Sequence, residues 1–425
     1  MSKEPGMDQS TSRRGFLGIT GVAVAAAQLG AFQKLADGRL FAYVGRHTTG
    51  PSLFGSGKGG GINVFRVNMA DGSLAEVSRT GPEADDLNSD GMCISADGRF
   101  LYSVNLTPAL GGKPGAGGSV AAFAINRENG SLTHLNTQPS MGTNPTAVII
   151  DTTNSRVVVA NHGAANKIVL VRKKNGAAVI ESPTDDATVA LFPVKPDGSL
   201  EPACDVDVLV PRPLSDTSGP GASCHTVVFD RTQRWLIASD NGYDHIYVYA
   251  FDPNSRRLEG RSFPTPPGKA PRHIVVHPRA PYFFMTNEHE ATVSSFHFDS
   301  ENGRVDPVQT IATIPEGFSG PRVAPSNIRM HPNGKFVYSA NRGDDSVAVF
   351  AIDEATGRMT RVAITKTGGQ GPREMNIEPS GKYLFVCHLQ SSDVATFALN
   401  GHTGRMTQVA KIGVPQAAVI HFAML

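Results

Sequence analysis

The side chains able to do chemistry fall at two recurring kinds of position. One kind opens a short apolar run: His225, Arg272 with His273, Asn327, and Arg373 with Glu374. The other closes the run that follows: Asp240, Glu288, Asn341 with Arg342, and His388. Arginine presents a planar fork of donors that is always charged and suits a carboxylate or phosphate. Glutamate and histidine are the usual acid–base groups near neutral pH. Three arginines, a carboxylate and a histidine at one opening would take an anionic small molecule and move protons on it. The competing reading is that Arg272 and Glu288 form a cross-strand ion pair with no chemistry.

Other chemistries find less support. As metal ligands, His273, His277, His289 and His331 are discounted in favour of structural or surface roles, and no His or Cys pair has ligand spacing with a carboxylate behind it. No metal or cofactor is expected. A Gly-x-Ser-x-Gly nucleophile elbow is absent, and Gly59-Gly60-Gly61 opens no helix that could cradle phosphate.

Short strands must position these groups. Between Gly268 and Asp299, apolar runs Ile274–Val276 and Tyr282–Met285 flank a turn, Pro278 to Pro281. A third run, Thr292–Phe298, follows, so the stretch reads as strand, turn, strand, strand. Arg272 and Glu288 each stand eight positions from Ala280, so an antiparallel hairpin brings both to the edge far from the turn.

The arrangement repeats. The end of the second strand falls at Gly45, Asn105, Asn161, Asp240, Asn287, Asn341 and His388, at intervals of 60, 56, 79, 47, 54 and 47 residues. Two turn types recur with it. Asp97-Gly98, Asn333-Gly334 and Ser380-Gly381 close first hairpins. Asp71-Gly72, Asn129-Gly130, Asp197-Gly198, Asn302-Gly303, Thr356-Gly357 and Thr403-Gly404 lead into outermost strands. Repeats near 40–50 residues with four strands each indicate an all-β, seven-bladed β-propeller. The first repeat lacks an innermost strand, and Ala417–Ala423 at the other end supplies one. Pairing it with Phe41–Val44 closes the ring and removes exposed edges. Long insertions at Thr48–Gly61, Leu106–Gly118, Pro211–Ser223 and from His162 onward all reach the face where the polar residues collect.

The formal net charge of +1 favours neither nucleic acid nor an anionic membrane. Cys93, Cys204, Cys224 and Cys387 have no motif spacing and read as free thiols, although Cys204 with Cys224 is a conceivable disulfide. At the N-terminus, Arg13-Arg14-Gly15-Phe16-Leu17 precedes a weakly apolar run from Ile19 to Phe32, shorter than the roughly 20 residues of a membrane span. This matches a twin-arginine export signal, with a cleavage-like Ala25-Ala26-Ala27. Residues 1–34 are therefore expected to be signal and linker, and 35–425 the propeller. The expected partners are the twin-arginine translocase during export and a small anionic lactone or diacid. The mature protein would be periplasmic, without membrane attachment.

From about Leu40 onward the chain resembles the seven-bladed propeller lactonases, which include bacterial 6-phosphogluconolactonases and fungal carboxymuconate-lactonizing enzymes. The motifs are Tyr43-Val44-Gly45, Cys224-His225-Thr226-Val227, Gly268 to His273, Asn287-Glu288, Tyr338 to Gly343 and Gly371-Pro372-Arg373. The resemblance implies a metal-independent lactone hydrolase with His225, Arg272, Glu288 and Arg342 at the active-site positions. Glu288 or His225 would activate water, and Arg272 or Arg342 would face the oxyanion. His273, Asn327, Asn341, Arg373 and His388 are expected to bind substrate. Departures at Gly45-Arg46-His47, at His289 and in the stretch His162–Val189 border that site and bear on substrate identity. A muconate-type cycloisomerase and a non-catalytic ligand- or protein-binding propeller stay open as alternatives.

Overall fold

In the computed structural model, residues 39–47, 60–109, 116–163, 170–174, 177–181, 185–209, 221–266 and 268–425 are described. The twin-arginine segment and most of the long insertions lie outside them. Seven four-stranded antiparallel sheets form the blades, and the only helix among the described residues is the single 3-10 turn Pro82–Ala84. Blade one takes its innermost strand, Ala417–Met424, from the C-terminus and pairs it with Leu40–Arg46, so Tyr43 lies opposite His421 and Val44 opposite Ile420. The expected closure is observed.

The other innermost strands are Ser89–Ile94, Pro145–Ile150, Cys224–Phe229, Pro271–Val276, Ala324–Met330 and Pro372–Ile377 in blades two to seven. Second strands end where the repeat predicts, at Asn105, Asn161, Asp240, Asn287 and His388, with blades one and six running one residue further to Arg46 and Arg342. Gly98, Gly334 and Gly381 have φ of 71°, 75° and 77°, the left-handed conformation a tight hairpin turn needs. The stretch from His162 to Val189, longer than the repeat requires, contains an additional hairpin of Leu170–Lys174 and Ala177–Glu181. All four cysteines are free thiols.

Apolar residues of adjacent blades mesh face to face. Phe283, Phe284 and Met285 of blade five are fully buried, with Ile237 and Val248 of blade four on one side and Val337 and Phe350 of blade six on the other. A polar clasp crosses each of the seven joints. The hydroxyls of Tyr43, Tyr102, Tyr282, Tyr338 and Tyr383 donate to carbonyls of Gly130, Gly198, Ala355, Gly404 and Ala70 in the next blade. Trp235 Nε1 donates to Ser300, and Arg156 Nε to Ser255. Each clasp runs from a second strand to the outer turn of the following blade. An aromatic ring with a polar tip suits this place, because it fills the joint and satisfies a carbonyl there.

The innermost strands carry a shared irregularity. In all seven blades the ladder slips near the mouth end: between Ser89 and Met92, Pro145 and Ala147, Cys224 and Thr226, Pro271 and Ile274, Pro325 and Ile328, Pro372 and Glu374, and opposite Gly45/Arg46 in blade one. A bulge re-aims the side chain it contains. The bulges hold Asp90, Thr146, His225, Arg272 with His273, Ser326 with Asn327, and Arg373.

Removing one clasp tests its contribution to stability. Tyr338→Phe keeps the ring but leaves the Gly404 carbonyl without its donor, which should lower the unfolding free energy by about 1 to 3 kcal/mol. Chemical denaturation of the variant beside the unchanged protein measures it.

Candidate active site

Glu288 begins the turn after the second strand of blade five, Tyr282–Asn287. The bulge shifts the register from the simple hairpin expectation: Pro271 pairs with Asn287, and Arg272 rises out of the ladder beside Glu288. Arg272 Nε lies 3.3 Å from Glu288 Oε2, and Asn241 Nδ2 of blade four donates to the same oxygen at 2.9 Å. Arg342 Nη2 of blade six donates to Oε1. Three blades thus converge on one carboxylate, and both of its oxygens are occupied.

Burial alone would raise the Glu288 pKa, but Arg272 and then Arg342 overcome this and bring it to about 2. Burial lowers Arg272 to about 9, helped by Arg342 and opposed by Glu288, so it stays protonated at neutral pH. Arg272 is only 2% exposed. Its Nη1 donates to the Ser326 carbonyl of blade six, and its own carbonyl accepts from Ser239 Oγ at 2.5 Å.

Asp90, from the blade-two bulge, was not singled out by the sequence analysis. Arg373 places Nε and Nη2 each 2.6 Å from Asp90 Oδ1, and His47 Nε2 lies 3.0 Å from the same atom. Burial opposes ionisation of Asp90, yet Arg373 and His47 hold it well below the usual carboxylate range. Arg373 of blade seven and His47 of blade one thus meet on a carboxylate of blade two. Arg272, Arg342 and Arg373 are held by two carboxylates, Glu288 and Asp90.

The imidazoles form a row. His225 lies with its ring centroid 5.0 Å from that of His273 and 5.6 Å from that of His162. Burial pushes His225 and His273 well below 6.5, with Arg272 adding to the shift in both, so they are neutral at pH 7. Asn327 Nδ2 donates to His273 Nδ1 at 3.1 Å. Among the described residues no group of three or more His, Cys, Asp or Glu side chains is arranged to hold a metal.

Four sequence candidates lie elsewhere. Asn341 is fully buried and donates to the Thr313 carbonyl and Ser346 Oγ, both at 3.2 Å, so its partners are the third strand of its blade and a neighbouring loop. His388 is fully buried too, with Nδ1 donating to Asp393 Oδ1 at 2.7 Å. Both side chains brace turns, as expected where a polar residue closes a buried strand. Asp240 Oδ1 likewise caps the backbone N–H groups of Ser223, Gly242 and Tyr243. Glu374 pairs in register with Cys387, one position past the Arg373 bulge, and its carboxylate meets Arg329 instead of the mouth. It lines a channel cavity of about 220 Å³ together with His273, Arg329, Asn376 and His421.

A closed ring of seven blades, with guanidinium forks, an ionised carboxylate and neutral imidazoles meeting at one mouth, defines a propeller enzyme for acid–base work on a small polar substrate. The comparisons agree with that class. The family described as "Lactonase, 7-bladed beta-propeller" matches residues 41–422, and the chain belongs to it. The 6-phosphogluconolactonase of Bacillus subtilis strain 168 is 27% identical over 341 residues, covering 78% of this chain and 83% of the relative. One from Formosa agariphila is 25% identical over 322 residues, 74% of this chain and 81% of its own. The periplasmic gluconolactonase of Pseudomonas aeruginosa superposes with a TM-score of 0.74 at 26% identity, over 90% of this chain and 99% of that one. The protein is a lactonase of this family.

The depressed acidity of Glu288 ties stability to pH. A carboxylate whose folded pKa lies near 2, against 4.5 ordinarily, adds stability that is complete above about pH 4.5 and lost as pH falls toward 2. Replacing it by Gln should cost on the order of 3 kcal/mol at neutral pH and flatten the acid limb of the unfolding free energy between those two values. Denaturant titrations across pH 2 to 7 show whether it does.

Proposed function

We propose that the chain hydrolyses a sugar-acid lactone, of the gluconolactone or phosphogluconolactone kind, at this mouth. The observation that carries the proposal is the pair Arg272 and Arg342 held on either side of Glu288. The names borne by the relatives supply the substrate class. A lactone carbonyl entering the mouth meets guanidinium donors already oriented for the oxyanion that forms when water adds. Arg373, held by Asp90, offers a further charge for an anionic group of the substrate.

Glu288 keeps the two arginines in place. Its hydrogen bonds to Asn241 and Arg342 and its low pKa make it a poor proton acceptor at neutral pH. The proton of the attacking water goes to the neutral imidazole row centred on His225.

A panel of sugar lactones with the purified propeller tests this. The unchanged protein should open at least one of them, and Arg272→Ala should lower kcat/KM about 100- to 1000-fold, the usual cost of an oxyanion donor. Full turnover in Arg272→Ala, Glu288→Gln and His225→Ala alike would rule out this mouth as the reaction site.

We also propose that the protein works in the periplasm, delivered folded by the twin-arginine route. The support is sequence alone: Arg13-Arg14-Gly15-Phe16-Leu17 and the weakly apolar run after it, in a segment outside the described residues. Changing Arg13 and Arg14 together to Lys should hold active lactonase in the cytoplasm. Cell fractionation decides it, and undiminished periplasmic activity of the double variant would reject the address.

A further inference from the structure

The three imidazoles at the mouth differ in the hydrogens they carry, and their neighbours set the difference. His162 follows Asn161 at the end of the second strand of blade three, Arg156–Asn161, and is partly exposed. Its Nδ1 lies 3.1 Å from the Gly163 carbonyl oxygen. A carbonyl only accepts, so Nδ1 carries the hydrogen and Nε2 keeps a lone pair. His273 is the converse case. Its Nδ1 faces Asn327 Nδ2, which only donates, and the Met375 N–H on Asn327 Oδ1 at 3.4 Å fixes that amide's orientation. His273 Nδ1 therefore accepts, and its Nε2 bears the hydrogen.

His225 fills the space between them. Its Nδ1 is buried without a hydrogen-bond partner, and the residue is only 5% exposed. Each Glu288 oxygen already accepts a hydrogen bond, and the neighbouring arginines hold the carboxylate at a low pKa, which makes it a weak base. His162 thus differs from the other acid–base groups of the mouth in combining a partly exposed ring with a lone pair fixed by the backbone. The charged groups facing it are Glu288, Arg272 and Asp240, with the His225 ring edge-on against it. Burial lowers its pKa below 6.5, the Gly163 carbonyl and Glu288 oppose this, Arg272 adds to it and Asp240 opposes it, which keeps the ring neutral at pH 7.

We propose, resting on the lactonase reading above, that His162 is the general base, with Nε2 taking the proton of the attacking water. The water oxygen bonds to the lactone carbonyl carbon, and the carbonyl electron pair moves onto the oxygen facing Arg272 and Arg342. On collapse the ring carbon–oxygen bond breaks. The departing alkoxide takes the proton back from His162 Nε2. Lactone and water are consumed and one hydroxy acid is formed, which then ionises to solvent.

The test uses His162→Gln and His162→Ala on the lactone that the unchanged enzyme opens fastest. Loss of a general base should lower kcat about 100- to 10,000-fold while KM stays within about twofold. Added imidazole should restore turnover to His162→Ala, increasing with the free-base fraction of the imidazole as pH rises. Rescue also establishes that the variant is folded. A kcat for His162→Gln within about threefold of the unchanged enzyme would overturn the assignment and leave the lactonase reading standing. A loss of kcat that imidazole does not repair, in a variant with an unchanged melting transition, would overturn it as well. If the unchanged enzyme opens no lactone, the lactonase reading fails and this proposal falls with it.

Discussion

A buried positive charge needs a fixed negative one beside it, and much of the mouth follows from that. Arg272 is almost wholly removed from water, and burial brings it to about 9. Removing the counter-ion from such a group typically costs about 3 to 5 kcal/mol. Glu288 supplies it, and in doing so joins three blades: Asn241 from blade four, Arg272 from its own, and Arg342 from blade six. The same carboxylate that keeps Arg272 charged also holds Arg342 of blade six beside it.

The ring makes that convergence possible. Each innermost strand slips its register near the same end, and each slip takes a residue out of the ladder. Hydrogen bonds then stitch one bulge to the next. Thr146 Oγ1 donates to the carbonyls of Cys224 and His225, Ser239 to Arg272, Arg272 to Ser326, and Ser326 to Pro372. The aromatic clasps at the outer turns hold the same joints from the other side. A site assembled from bulges of separate blades keeps its geometry only while the circle is closed, so the pairing of Leu40–Arg46 with Ala417–Met424 matters to the chemistry.

Much of this was legible in the chain. The recurrence of Asn and Asp at strand ends, and of Gly two residues into hairpin turns, marked blade number and closure because turn chemistry is local. Hairpin symmetry put Arg272 and Glu288 at the same edge, although a bulge rather than the ladder brings their side chains together. Cross-blade partners were not. Asp90 sits in Ser-Asp-Gly, with no neighbour in sequence to mark it, and its ligand Arg373 is on the other side of the chain's closure. Asn341 and His388 carried the right residue types at the right repeat position, yet the same position that ends a strand at the mouth can turn its side chain onto the third strand. Period and spacing locate a residue at an edge; a one-residue bulge decides where its side chain goes, and no propensity announces it. His162 was passed over for a similar reason, since only the Gly163 carbonyl and the adjacent His225 ring distinguish it from a loop histidine.

The central claim is that the mouth between blades four, five and six is where the lactone carbonyl reacts. A crystal structure with the ring-opened hydroxy acid bound addresses it most directly, because the product carboxylate contains the carbon that water attacked. The carboxylate should lie between the guanidinium groups of Arg272 and Arg342, with one oxygen toward the imidazole row. A carboxylate seated instead in the channel beside Arg329 and Glu374, with the Arg272–Glu288–Arg342 cluster untouched, would contradict the account.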